Sequence, residues 1–257
     1  MRFGACTGTP EQFPIIKKCG FDYAEIIFFL MANASEEEFS QWCRFAEESE
    51  LPIEGSNCFV TTPWRLVGEK DLDGLLNYAR NGFARLQKLG GSFAVIGSGG
   101  ARRIPEGYTY TQAKEEFSKL LCKLSPIAAD HGITLCLEAL NSAETDLITT
   151  VAEAAEICRS IGQPNVACVA DLYHMHRMDE PYSVLSEVGN LLHHVHIALP
   201  NRKIPKAADE AECRIMAKAL HNCGYQGRIT LECILEPDFE TGLRDFLPLK
   251  SVFSHSL

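Results

Sequence analysis

The chain of 257 residues contains no stretch approaching the roughly 20 apolar residues of a membrane span. No signal-peptide pattern precedes the strand-like start MRFGACTGTP, so a cytoplasmic location is the default expectation, with no membrane partner. Lysine and arginine form no run and the net charge is −10, which argues against nucleic acid as a partner. The eleven cysteines are scattered and make no C-x-x-C pair. That spacing disfavours a zinc-thiolate site or a disulfide framework. The thiols, several of them (Cys6, Cys136, Cys168, Cys233) inside or beside strand-like runs, read as reduced small hydrophobes. No Pro/Gly/Ser-rich linker or low-complexity tract divides the chain, so one domain over 1–257 is expected. Its length is near the ~250 residues of an α/β barrel, and its 46% hydrophobic content suits a globular core.

What is present is alternation. Short apolar runs are each followed by a capped, amphipathic segment. Arg2 to Cys6 reads as a strand, and Thr9-Pro10-Glu11-Gln12 reads as the capped start of a helix ending at Gly20. Phe21 to Phe29 and Leu51 to Phe59 are the next strands, separated by a helix that Ser35-Glu-Glu-Glu38 caps. Leu72 to Leu89 is helical by its apolar spacing, and Ser92 to Ile96 is strand four. A helix over Gln112 to Asp130 leads to strand five at Ile133 to Leu137. A helix capped by Thr150 leads to strand six at Val166 to Ala170. Pro181 to Val188 is a short helix and Leu191 to Val195 is strand seven. Asp209 to Cys223 is helical, Ile229 to Leu231 is strand eight, and Phe239 to Phe246 closes the chain as a helix. Eight such units at roughly 32 residues each predict a parallel sheet closed as a single (β/α)8 TIM barrel.

The last four strands share a feature. Strand five runs into Glu138, strand six into Asp171, strand seven into His196 and strand eight into Glu232, at spacings of 33, 25 and 36 residues. Five of the eight histidines lie between His174 and His196. In a barrel of this kind the functional groups gather at the carboxyl ends of the strands. Strand alternation aims these four inward, with Cys136, Val169, His194 and Thr230 one layer below and Leu137, Ala170, Val195 and Leu231 facing the helices. Three carboxylates and one imidazole form a plausible ligand set for a hard or borderline divalent cation.

The pattern resembles the sugar phosphate isomerase/epimerase superfamily, the xylose isomerase-like barrels. It is most similar to the ketose 3-epimerases (tagatose and psicose epimerases) and hydroxypyruvate isomerase. The resemblance rests on Glu138-Ala-Leu-Asn141 with Glu144 six residues after the first glutamate, on Asp171-Leu-Tyr-His174, on His196 with Arg202 six residues on, and on Glu232 in Ile-Thr-Leu-Glu-Cys. It implies a small-molecule sugar or keto-sugar substrate, with a homo-dimer or homo-tetramer as the state relatives suggest. It also implies that Glu138 and Glu232 are the acid/base pair and ligate the metal with Asp171 and His196. His174, Arg202 and Glu144 would bind substrate. The expected ion is Mn²⁺, with Mg²⁺, Co²⁺ or Zn²⁺ as alternatives. Two loops depart from the family pattern: Ala139 stands where proline is common, and Lys203-Ile-Pro205-Lys206 replaces a Pro-Gly continuation.

The leading activity is therefore isomerisation or epimerisation by proton removal beside a carbonyl. The alternatives are a keto-inositol (inosose) dehydratase of the same superfamily, a non-catalytic sugar-binding barrel, and an abasic-site endonuclease. The endonuclease would need more metal ligands on strands one to four than Cys6, Ile27, Cys58 and Gly97 offer. Gly97-Ser-Gly-Gly100-Ala-Arg-Arg103 reads as a glycine-rich turn first and an anion site second. Trp64 and Phe59 are candidates to wall the pocket. His176 and His193 have no matched role, and His194 reads as packing or as support beneath His196.

Overall fold

Strands are short and apolar because each is covered on both sides, by barrel filling within and helices without. The computed structural model describes residues 1–254. Its strands are β1 (Arg2–Thr7), β2 (Tyr23–Ile27), β3 (Ile53–Asn57), β4 (Phe93–Ile96), β5 (Thr134–Glu138), β6 (Val166–Asp171), β7 (Leu192–Ile197) and β8 (Arg228–Leu231). They pair in chain order, all parallel, and β8 returns to β1 to close the barrel. The helices between them are α1 (Phe13–Lys18), α2 (Phe28–Asn33), α3 (Glu36–Ser49), α4 (Leu72–Lys88), α5 (Tyr110–Ala129) and α6 (Val151–Ile161). They continue as α7 (Leu172–Arg177), α8 (Val184–Val188), α9 (Glu210–Asn222), α10 (Phe239–Phe246) and α11 (Lys250–Ser254). The described chain is thus the expected (β/α)8 barrel.

Local chemistry accounts for most boundaries. Ser35 and Glu38 exchange side-chain-to-backbone bonds at the start of α3, and Thr109 with Gln112 and Thr150 with Glu153 do the same for α5 and α6. Some expectations shift. Thr9 makes no side-chain cap; Pro10–Gln12 forms a single 3-10 turn before α1. The strand read over Phe21 to Phe29 is only Tyr23–Ile27, because Phe28 turns away to start α2, where its ring meets Phe59 and Phe83. Asp171 caps α7, a helix not foreseen, by accepting from the backbone of Tyr173 and His174.

Two apolar layers are distinct. Phe93, Val95, Cys136 and Val169 form a small cluster in the lumen, while Leu135, Leu137, Ala170, Val195, Ile229 and Leu231 join the large core under the helices. This is the alternation expected from the strands. Gly55 sits opposite Phe93 on the neighbouring strand, and a Cβ there would lie 2.3 Å from the ring, so the lumen is filled by a large residue over an absent one. At the amino end of the barrel Glu54 pairs with Arg2 and Arg228, which leaves the carboxyl end for chemistry.

Candidate metal centre

The four strand-end residues converge. Glu138, Asp171, His196 and Glu232 each offer a ligand atom, and these atoms lie within 4.8 Å of one another. Glu138, Asp171 and His196 are the last or nearly last residues of their strands; Glu232 follows β8 directly. His196 Nδ1 lies 3.1 Å from Glu138 Oε1 and 3.6 Å from Glu232 Oε2. Asp171 Oδ1 is taken by the amides of Tyr173 and His174, whereas its buried Oδ2 has no hydrogen-bond partner. A buried carboxylate oxygen without a donor is costly. Its place in this cluster fits a cation.

Electrostatics point the same way. Burial raises the Asp171 carboxyl to about 8, with the charges of Glu232 and Glu138 adding to the rise. Burial also raises Glu138. Burial disfavours charge on His196, but Glu25 and Glu232 outweigh it and hold its proton well above the usual histidine range. Acids crowded into a dry space need compensating positive charge. The donor set of three carboxylates and one imidazole suits a hard or borderline ion.

The remaining sequence candidates surround this cluster. Arg202 Nη2 donates to Glu232 Oε2 at 2.9 Å, and its Nη1 reaches Glu144 Oε1 at 3.3 Å. Arg202 adopts a left-handed backbone (φ 62°), held because its carbonyl accepts from Ile234 N and its amide bonds Leu199 O. This ties the Arg202 turn to the segment just after Glu232, and the guanidinium lies over the Tyr173 ring. His174 Nδ1 accepts from the backbone and side-chain amides of Asn141, so in the neutral ring Nε2 carries the proton. Burial, and then the Arg202 charge, lower His174 to about 2, which keeps it neutral. Asn141 also donates to Glu144.

A cavity of about 330 Å³ opens onto Glu138, Glu232, Arg202 and Glu144 and is walled by Cys58, Trp64 and the Ser98–Ala101 turn. Trp64 lines it as expected, but Phe59 does not: its ring is fully buried against Phe28 and Phe83. The anion reading of Arg102 and Arg103 is also corrected. Arg102 is fully buried, with its guanidinium on the carbonyls of Ile96, Glu138 and Ile148, and Arg103 bonds the Ala143 carbonyl. Arg102 thus clamps the backbone of Glu138. His176 is exposed, while His194 is fully enclosed beneath His196.

Three contributors escaped the sequence reading. Asn57, the last residue of β3, donates to Glu232 Oε1 at 2.6 Å. Gly97 permits Glu138 to lie close, since a Cβ there would stand 2.3 Å from Glu138 Oε2. Glu25, in the middle of β2, contacts His194 and His196. Its inward parity inside an apolar strand was the available signal, because a buried acid must have a partner. Cys6, Glu25 and His196 also bring ligand-type atoms within 4.8 Å, but both Glu25 oxygens are occupied by the two histidines.

Known proteins share this architecture. A D-psicose 3-epimerase from Agrobacterium fabrum is 30% identical over 120 residues, covering 46% of this chain and 40% of that enzyme. This chain thus spans less than half the length of that relative. A 3-dehydro-D-guloside 4-epimerase from Escherichia coli is 27% identical over 231 residues, 86% of each chain. The crystal structure of a 3-keto-D-glucoside 4-epimerase from E. coli, in its apo form, superposes with a TM-score of 0.81 at 25% identity, covering 98% of this chain and 99% of that one. Among the described residues no helix is long and apolar enough to cross a membrane. With a closed parallel barrel of eight strands and a sequence match over residues 13–248, the chain belongs to the xylose isomerase-like TIM barrel family.

Proposed function

We propose that the chain is a divalent-metal-dependent epimerase or isomerase of a keto-sugar, with Glu138 and Glu232 as its acid/base pair. The observation that carries this reading is the convergence of two glutamates, from β5 and from the end of β8, on one cavity beside a candidate cation site. One carboxylate takes the proton of a C–H bond next to the carbonyl, and the electron pair moves onto the carbonyl oxygen. The other glutamate, in its carboxylic-acid form, returns a proton to the opposite face, which inverts the carbon, or to the neighbouring carbon, which moves the carbonyl as the hydroxyl proton passes to the former carbonyl oxygen.

A Mn²⁺ ion (or Mg²⁺, Co²⁺ or Zn²⁺) held by Glu138, Asp171, His196 and Glu232 would supply positive charge next to the developing enediolate. Asn57 and Arg202 orient the Glu232 carboxylate from two sides. Arg202 also carries a permanent charge to the substrate side of the cavity, and neutral His174 lies beside it, with Nε2 3.3 Å from Arg202 Nη1. Glu144, held by Asn141 and Arg202, would receive a sugar hydroxyl.

The relative aligned over 231 residues is named for a 3-dehydro-D-guloside, the superposed crystal structure for a 3-keto-D-glucoside, and the other relative for D-psicose. The test is an NMR product assay of the Mn²⁺-loaded protein on free ketoses and 3-keto-glycosides. Interconversion of a pair differing at the carbon beside the carbonyl is the expected result. Loss of water in place of inversion would contradict it and move the assignment to dehydration.

A further inference from the structure

Glu25 is a buried acid to which the proposed chemistry assigns no task. It is fully enclosed in the lumen, where an unpaired carboxylate would be very costly. Both of its oxygens are in fact used. Oε2 meets His194 Nε2 at 2.7 Å, and Oε1 meets His196 Nε2 at 2.9 Å. The contact is not between neighbours. β2 and β7 are separated around the ring by β1 and β8, so Glu25 reaches across the barrel interior.

An ionised carboxylate only accepts, so both histidines donate to it from Nε2. For His196 this leaves Nδ1 as the nitrogen facing Glu138 and Glu232. His194 packs against the Phe93 ring at 4.4 Å, and its own Nδ1 has no partner, so its hydrogen bonding is confined to Glu25.

We propose that Glu25 is a positioning residue for the metal centre: it fixes His196 in the orientation and tautomer that present Nδ1 to the ion, and His194 holds Glu25 in place. The inference rests on the metal-centre reading above. A negative charge bonded to the far nitrogen also strengthens the near nitrogen as a donor to a cation.

Glutamine at this position keeps the shape but changes the hydrogen bonding. Its amide accepts from one histidine and must donate to the other, so one ring is driven to carry its proton on Nδ1. In Glu25→Gln the dissociation constant for Mn²⁺, measured against a competing chelator, should rise about 10–100-fold while the circular dichroism spectrum is unchanged. Independently of any variant, the wild-type protein loaded with diamagnetic Zn²⁺ should show the remaining His196 proton on Nε2 in a ¹⁵N–¹H correlation. Unchanged Mn²⁺ affinity in folded Glu25→Gln, or a His196 proton on Nδ1 in the Zn²⁺-loaded wild type, overturns the proposal. A wild-type protein that takes up no Mn²⁺ overturns the metal-centre reading, and this proposal with it.

Discussion

At the scale of single residues, the candidate site depends on atoms that are missing as well as on those present. Gly97 directly follows the fourth strand, where the Glu138 carboxylate needs the space a Cβ would occupy. Gly97→Ala should therefore displace Glu138. A shift of about 1 Å in a reacting group costs on the order of 10²-fold in rate. The expected outcome is a loss of that order in turnover with the melting temperature nearly unchanged; an alanine variant of full activity would show that Glu138 has room to move. Arg102 contributes differently, since its buried guanidinium binds carbonyls at the ends of β4 and β5 and fixes the backbone from which Glu138 projects. The arginine pair was visible in the sequence, but its direction was not: whether a strand-end arginine faces solvent or turns inward depends on carbonyls brought there by other strands.

At the scale of elements, the strand-and-helix rhythm was legible because caps and apolar periods are local. The capping boxes of α3 and α6 and the bounds of α10 follow directly from such signals. The four strand-end residues were legible for a related reason, since each stands where an apolar run stops. Glu25 was not, because it lies inside a strand and its partners come from β7 across the lumen. Phe28 was misplaced because periodicity in an apolar run does not show where the chain turns from the sheet into a helix.

Glu153, at the start of α6, ties three features of this level together. It accepts from the amides of Thr149 and Thr150 and from Tyr110 Oη on α5. Burial raises its pKa, but these bonds outweigh burial and hold it below the usual carboxylate range. A carboxylate with a depressed folded pKa contributes stability that is present above its unfolded value and lost as pH falls through the folded one. Glu153→Gln should therefore lower stability at neutral pH and lose less than the wild type between pH 5 and 3, as roughly bounded by that unfolded carboxylate range. Urea titrations at both pH values read this out, and identical pH dependence in the two proteins would contradict it.

At the scale of the whole molecule, the carboxyl end of the barrel gathers Glu138, Asp171 and Glu232 around one point, and the amino end is closed by Glu54 with Arg2 and Arg228. A divalent ion that binds the folded state alone should stabilise the chain. At 100 times its dissociation constant the gain is about 2.7 kcal/mol, which for a chain of this size raises the melting temperature by roughly 5 °C or more. Mn²⁺ should produce this shift, a chelator should reverse it, and Asp171→Asn should abolish most of it. Equal melting curves with and without Mn²⁺ would argue against a metal centre.

Two glutamates that move a proton at a carbon beside a carbonyl leave an isotopic trace. Its most direct measurement is deuterium incorporation from D₂O into a turned-over keto-sugar, followed by NMR for the Mn²⁺-loaded wild type and for Glu232→Gln. Deuterium is expected at the carbon next to the carbonyl in the wild type, with a loss of incorporation in the variant while Mn²⁺ stays bound. Product formed without deuterium, or incorporation undiminished in a metal-loaded Glu232→Gln protein, would contradict it.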